Sequence, residues 1–186
     1  MILLVGLGNP TPDSKNNRHN IGFKIIDAIN QKFALSKQKP KFKGLLTTGN
    51  ISNQKVYAIK PLTFMNNSGI CIRELIEYFK IGVEDIIVFH DDLDIDFGKI
   101  KAKFGGSSAG HNGIASIDKF VGKDYSRVRI GIGKPDTKIS SADYVLNNFS
   151  EDEEKEVEKI TGNIINSLSI LIDKKLELFS STVNNN

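Results

Sequence analysis

The sequence predicts a single α/β domain: a mostly parallel, mixed and twisted sheet with helices on both faces. Three observations carry this. Residues 2–7 (ILLVGL) and 86–90 (IIVFH) are short continuous apolar runs, the pattern of strands buried on both faces of a parallel sheet. Between and after these runs, apolar residues recur at helical spacing. Strands and helices alternate along 186 residues with no internal repeat and no dividing linker, which describes one domain around one core.

Each element follows from its own residues. The first strand runs out at Gly8-Asn9-Pro10, a turn signal, and residues 11–20 (TPDSKNNRHN) are polar and breaker-rich, hence a loop. Ile25, Ile26, Ile29 and Phe33 place a helix near 21–34, and LSKQKPK at 35–41 is a basic connector. Residues 42–50 and 54–60 read as a strand pair about a Ser52-Asn53 turn, an antiparallel edge that Pro61 ends. A helix near 67–80 sets Ile72, Leu75, Ile76 and Phe79 on one face, with Gly82 placed to stop it as a C-terminal glycine. After the buried run at 86–90, Lys99, Lys101 and Lys103 alternate with Ile100, Ala102 and Phe104, a strand with one wet face. The small-residue stretch 105–110 precedes a helix near 112–121, and RVRIGI at 127–132 is another strand, with Arg127 and Arg129 on one face. Ser150 and Glu153 have capping-box spacing before a long last helix carrying Val157, Ile160, Ile164, Leu168 and Leu171. The domain is expected to occupy residues 1–180, with 181–186 a frayed tail.

Composition narrows the class. The chain is 39% hydrophobic and 25% charged, as ordinary globular proteins are. No apolar run approaches the roughly 20 residues that span a bilayer. The opening Met-Ile-Leu-Leu-Val has no charged segment before it and reads as a strand, not a signal peptide, so a cytoplasmic location is expected. The one cysteine, Cys71, sits beside Ile72 and Leu75 in a helical pattern and is expected to pack. The net charge of +3 is uneven: residues 151–158 hold six acids and one lysine, so the rest of the chain is more basic. Such a body permits a polyanionic partner without requiring one. Lys99, Lys101, Lys103, Arg127, Arg129 and Lys134 form either a phosphate-binding patch or a solvated strand face.

The chemistry-bearing residues gather past strand ends, where sheets of this kind build their sites. Asn9 follows the first strand and Asp91 the strand at 86–90, while Met65-Asn66 and Gly110-His111-Asn112 lie at turns opening helices. His19 fits either a solvated loop histidine or a general base, and the second role needs an orienting acceptor, for which Asp91 is suited. His90 should point to the other side of its strand from Asp91 and pack, whereas His111 either binds a phosphate or caps its helix. Asn9, Asn66 and Asn112 are turn and cap residues or, as a set, neutral donors to a developing oxyanion. The spacing of the three histidines and Asp91 matches no zinc or iron site, and no metal is expected. Gly6-Leu7-Gly8-Asn9-Pro10 approaches a dinucleotide-binding turn, but Thr11 occupies the third glycine position and a loop intervenes before the helix. Neither a Walker A motif nor a G-x-S-x-G elbow is present.

Taken in register, these segments resemble the bacterial peptidyl-tRNA hydrolase family. The resemblance rests on Gly6-Leu7-Gly8-Asn9-Pro10, Arg18-His19-Asn20-Ile21-Gly22, Pro61-Leu62-Thr63-Phe64-Met65-Asn66 with Ser68-Gly69, His90-Asp91-Asp92-Leu93-Asp94, Gly110-His111-Asn112-Gly113, and Arg129-Ile130-Gly131-Ile132-Gly133-Lys134-Pro135. It implies a carboxylic ester hydrolase, free of metal and cofactor, that cuts a peptide or N-blocked amino acid from the 3′ end of tRNA. It further implies a cytoplasmic monomer that recycles tRNA, meets the acceptor stem and CCA end, and needs neither membrane nor protein partner. His19 would be the base and Asp91 its orienting carboxylate. Asn9 and Asn66 would hold the peptide and reacting ester, Asn112 the water or tRNA 3′ end, and Met65 would line the pocket. Lys103 and Arg129 would grip a phosphate, and His111 would lie near the tRNA 3′ end. The family usually has Gly and Tyr where this chain has Thr11 and Ser14, so Ser14 takes the place of a tyrosine that packs on the terminal nucleotide or shapes the site. Asn17 stands where Thr is common, and Ser107-Ser108-Ala109 replaces a more glycine-rich stretch. Three rival readings are a non-catalytic RNA-binding protein on the same scaffold, a nucleotide-dependent oxidoreductase, and a hydrolase of unrelated small substrates. The presence of His19, Asp91, Asn9, Asn66 and Asn112 together favours the esterase over the first.

Overall fold

A computed structural model describes residues 1–185. Its centre is a seven-stranded mixed sheet in the order β2-β3-β4-β1-β5-β7-β6. The strands are β1 (Ile2–Gly6), β2 (Lys39–Lys41), β3 (Gly44–Ile51), β4 (Gln54–Pro61), β5 (Ile86–Asp92), β6 (Ile100–Phe104) and β7 (Ser126–Gly131). The inner strands β4, β1, β5 and β7 run parallel, and β2, β3 and β6 are antiparallel additions at the edges. The continuous apolar run of β1 has a direct cause. Ile2 and Leu4 enter one core layer while Leu3 and Val5 enter the other, and β5 divides Ile87 and Phe89 from Ile86 and Val88 in the same way.

Helices cover both faces. α2 (Ser68–Phe79) and α3 (Asn112–Val121) pack on one face, where Cys71 is buried as expected and its thiol is pushed up to about 12, first by burial and then by Glu74. α1 (Ile21–Lys32), α5 (Glu151–Asn166), α6 (Leu168–Ile172) and α7 (Leu176–Asn184) pack on the other, and the short α4 (Ser141–Val145) lies beside the carboxyl ends of the strands. The entry to α1 is held against β1 by two glycines. A Cβ at Gly6 would overlap the Gly22 carbonyl, and one at Gly22 would overlap the Leu7 amide. This close approach brings the residues just before α1 onto the strand ends. None of the described helices is long and apolar enough to cross a membrane.

Four expectations are corrected. First, α2 ends with Lys80 in the left-handed conformation (φ 57°), while Gly82 is extended and starts the turn into β5. Second, the long last helix is three helices. The apolar period continues through Leu168 and Leu171 because α6 packs on the same core, but the chain bends at Ser167 and again at Lys174, whose φ is 62°. Third, residues 181–184 are the end of α7 and not a frayed tail; Asn186 lies outside the described residues. Val183 is buried, the Asn184 amide bonds both the N–H (3.0 Å) and the C=O (2.7 Å) of Ile100, and Ser180 accepts from the Ala102 N–H (2.8 Å). Polar residues that read as a tail thus cover the open edge of β6. Fourth, Arg127 does not join a basic patch: it is buried, paired to Asp118 at 3.0 Å, and donates to the Ser107 carbonyl at 2.8 Å.

Candidate active site

The carboxyl ends of β1 and β5 carry the site. Asp91, near the end of β5, is almost completely buried, which is unfavourable for a carboxylate without donors. Two imidazoles supply them. His19, in a 3-10 turn at Arg18–Asn20 leading into α1, places Nδ1 2.8 Å from Asp91 Oδ2 and 3.0 Å from Oδ1. His111 places Nε2 2.9 Å from Asp91 Oδ1. Burial pushes the Asp91 carboxyl up, but His111 and His19, through charge and hydrogen bonds, outweigh it and hold Asp91 well below the usual carboxylate range.

The hydrogen bonds also fix the tautomers. His111 caps α3, its Nδ1 accepting from the N–H groups of Gly113 (3.1 Å) and Ile114 (3.3 Å), so its proton sits on Nε2 and is donated to Asp91. His19 likewise donates Nδ1–H to Asp91, which leaves the Nε2 lone pair free. His90, packed as expected, donates Nδ1–H to the Asp91 carbonyl at 2.8 Å, and its Nε2 is buried without a partner. Burial, then the neighbouring His111, pushes His90 down to about 3.

A cavity of about 630 Å³ opens here, lined by His19, Asp91, His111, Asn112, Lys134 and Val145 among others. Asn9 is tied to the His19 turn through the Asn20 amide. Its Oδ1 accepts from the Met65 N–H (2.9 Å), which leaves its amide hydrogens as donors. Asn66, exposed in the adjacent 3-10 turn, is open to solvent. Phe64, which starts that turn, has φ 63° and ψ 158°, a strained conformation for a residue with a side chain.

His19, Asp91 and His111 also form the one cluster among the described residues with metal-ligand atoms close together, all within 4.8 Å. The sequence spacing gave no hint of this, because His111 joins only in the fold. The geometry is that of hydrogen bonds. The N···O separations of 2.8–3.0 Å are shorter than the roughly 3.3 Å between ligands that tetrahedral bonds of about 2.0–2.1 Å impose. Both facing nitrogens carry the protons they donate.

Comparison with known proteins finds relatives that match nearly the whole chain. The family profile described as peptidyl-tRNA hydrolase matches residues 3–186. The chain belongs to the peptidyl-tRNA hydrolase family. The peptidyl-tRNA hydrolase of Pelagibacter ubique is 80% identical over 185 residues, covering 100% of both chains. That of Ehrlichia canis is 44% identical, covering 98% of this chain and 94% of its own. The crystal structure of the peptidyl-tRNA hydrolase from Acinetobacter baumannii superposes with a TM-score of 0.92 at 32% identity, covering 99% of this chain and 94% of that one.

Of the residues singled out from the sequence, this member of the peptidyl-tRNA hydrolase family gathers His19, Asp91, His111 and Asn112 around the cavity, with Asn9 adjacent. Two expectations change. Met65 does not line the cavity: it is buried in the core with its sulfur against Gly113, because the 3-10 turn rolls it inward beneath Asn66. Ser14 is buried, its hydroxyl bonded to Thr11 Oγ1 at 2.7 Å, so it shapes the loop and faces no open site. Lys103 and Arg129 lie outside the cavity lining. Lys103 is exposed beside Gly106, and Arg129 bonds Asp92 at 2.8 Å through Nε. Asn20 was missed. Its amide accepts from the Asn9 N–H and donates to the Asn9 carbonyl, both at 2.9 Å, locking the Asn9 turn to the His19 turn. A polar residue flanking His19 was the available signal.

Proposed function

We propose that the chain hydrolyses the ester linking a peptide, or an N-blocked amino acid, to the 3′ end of tRNA, with His19 as the base. The observation that carries this is the His19–Asp91 pair at 2.8 Å lining a cavity, with Nε2 left free as a proton acceptor. Nε2 takes a proton from water as the water oxygen bonds to the ester carbonyl carbon. Asp91 stabilises the imidazolium. The amide hydrogens of Asn9 or Asn112 donate to the oxyanion, and Asn66 holds the peptide. The C–O bond to the ribose then breaks, and the leaving oxygen recovers the proton from His19. His111 bounds the tRNA 3′ end. The CCA end occupies the crevice, and Lys103 and Arg129 meet acceptor-stem phosphates. The chain acts in the cytoplasm as a monomer, recycling tRNA from stalled or released peptidyl-tRNA.

The test is release of the blocked amino acid from N-acetyl-aminoacyl-tRNA, in chelator, by the intact chain and by His19→Ala. A positioned base contributes about 10²–10⁴ in rate, so the variant should lose nearly all turnover while remaining folded. Retention of more than about a tenth of turnover would remove His19 from the role. Tight tRNA binding without release by either chain would support a non-catalytic RNA-binding role instead.

A further inference from the structure

The acidic head of α5 has no part in the chemistry above, yet two of its carboxylates are not free. Glu153 meets Arg18 at 3.0 Å and Glu154 meets Lys24 at 2.7 Å, both beside the turn that carries His19. We propose that Arg18 and Tyr144 are positioning residues for His19, and that Glu153 anchors them. This rests on the reading of His19 as the base.

Arg18 is buried immediately before His19. Its guanidinium lies 4.2 Å over the Tyr144 ring, Nη1 reaches the carbonyls of Tyr144 (3.4 Å) and Asn147 (3.3 Å), and Nη2 reaches Glu153. A planar fork can serve these directions together; a lysine cannot. Glu153 is itself held, because the same Oε1 accepts from the Ser150 N–H at 2.9 Å in the capping box of α5. The backbone adds a short antiparallel seam, Arg18 N–H to Asn147 carbonyl (3.1 Å) and Phe149 N–H to Asn16 carbonyl (3.2 Å).

The contacts close into a ring. The Tyr144 hydroxyl donates to the Ile132 carbonyl at 2.7 Å, and the Ile132 N–H donates to the Asp92 carbonyl at 3.0 Å. Asp92 adjoins Asp91, which binds His19. The circuit His19–Arg18–Tyr144–Ile132–Asp92–Asp91 therefore fixes both partners of the pair from behind. Tyr144 also belongs to α4, whose Ser141, Ala142 and Val145 wall the cavity. A largely buried ion pair adds little net stability once desolvation is counted. Orientation of the base is the return that this placement gives.

The test uses the intact chain and three variants, Arg18→Lys, Glu153→Gln and Tyr144→Phe. Steady-state kinetics on N-acetyl-aminoacyl-tRNA are paired with ¹⁵N-edited proton spectra of the histidine rings. A displacement near 1 Å can cost about 10²-fold, so kcat should fall about tenfold in Arg18→Lys and Glu153→Gln, and less in Tyr144→Phe, with KM within about twofold. The His19 Nδ1–H resonance, identified by its absence in His19→Ala, should shift or broaden in each variant. Folded variants with unchanged kcat and an unmoved resonance would overturn the proposal. So would a raised KM at constant kcat, which would make these residues substrate contacts. If Arg18→Lys does not fold, the two milder variants decide, since Glu153→Gln removes only the charge that meets Arg18 and Tyr144→Phe only the hydroxyl bond to Ile132. The resonance reports the position of His19 whether or not it is the base, so failure of that reading shows separately, as turnover surviving in His19→Ala.

Discussion

His90 gives the fold a pH dependence that can be isolated. In an unfolded chain its imidazole takes a proton near its ordinary value of 6.5; in the folded chain burial and His111 delay this to about 3. The unfolded state therefore holds the extra proton between these values. Stability is complete above pH 6.5 and is lost as the pH falls toward 3, at about 1.4 kcal/mol per pH unit once well inside the window. Between pH 7 and pH 5 the loss works out to about 2 kcal/mol, a large part of the roughly 5–15 kcal/mol that holds a domain together. His90→Asn removes the proton but keeps an N–H where Nδ1 now donates to the Asp91 carbonyl. It should carry a fixed penalty at all pH values and a flatter slope. Asp91, with an ordinary value of 3.8 and held below it in the folded chain, contributes only near and below that value, under the range from pH 7 to pH 5. Urea unfolding of the two chains at pH 7, 6 and 5 measures the difference directly. Parallel stability curves would mean that the buried His90 is protonated as readily in the folded chain as in the unfolded one, and would refute the argument.

Other expected outcomes concern Asp91 and the sheet edge. Asp91→Asn leaves two imidazole donors facing an amide and removes the acceptor that sets the His19 tautomer; kcat should fall by about 10³-fold or more, with the ring proton moving to Nε2 in ¹⁵N spectra. Asn184→Ala strips the edge of β6 of two hydrogen bonds, so unfolding free energy should drop by about 1–2 kcal/mol, and light scattering should show more self-association. An unchanged unfolding midpoint in Asn184→Ala would return the chain end to the role of a loose tail.

What was legible in the sequence was what depends on local pattern. β1 and β5 announced themselves because residues alternating between two core layers leave no polar position. Ser150 and Glu153 announced the capping box, which the structure forms on both sides. Strand-end logic offered Asp91 as a suitable acceptor for His19, and the family resemblance assigned the pair. What was not legible depends on which surface covers which. Arg127 and Arg129 share a strand face, but α3 closes over the first, and the second is left to meet Asp92. The stop of α2 fell to Lys80 although a glycine stood two residues on, because the left-handed turn is set by where the chain must leave the helix. Asn184 and Ser180 looked like solvated polar residues because the strand edge they satisfy is about 80 residues away in the chain.

His111 is the most instructive case, because its two sequence readings, helix cap and phosphate contact, both left out its bond to Asp91. Capping α3 consumes Nδ1, and that same bond obliges Nε2 to carry the proton it gives to Asp91. A helix N-terminus thereby sets the state of an imidazole one ring-width away from the carboxylate. Asp91 gains a donor that cannot turn into an acceptor while α3 stays folded. The carboxylate can then remain ionised in a buried place while His19 turns its other nitrogen outward, which is what the proposed role of His19 as base requires of it. The backbone of a helix and a buried carboxylate are joined through one side chain, a link that spacing along the sequence could not display.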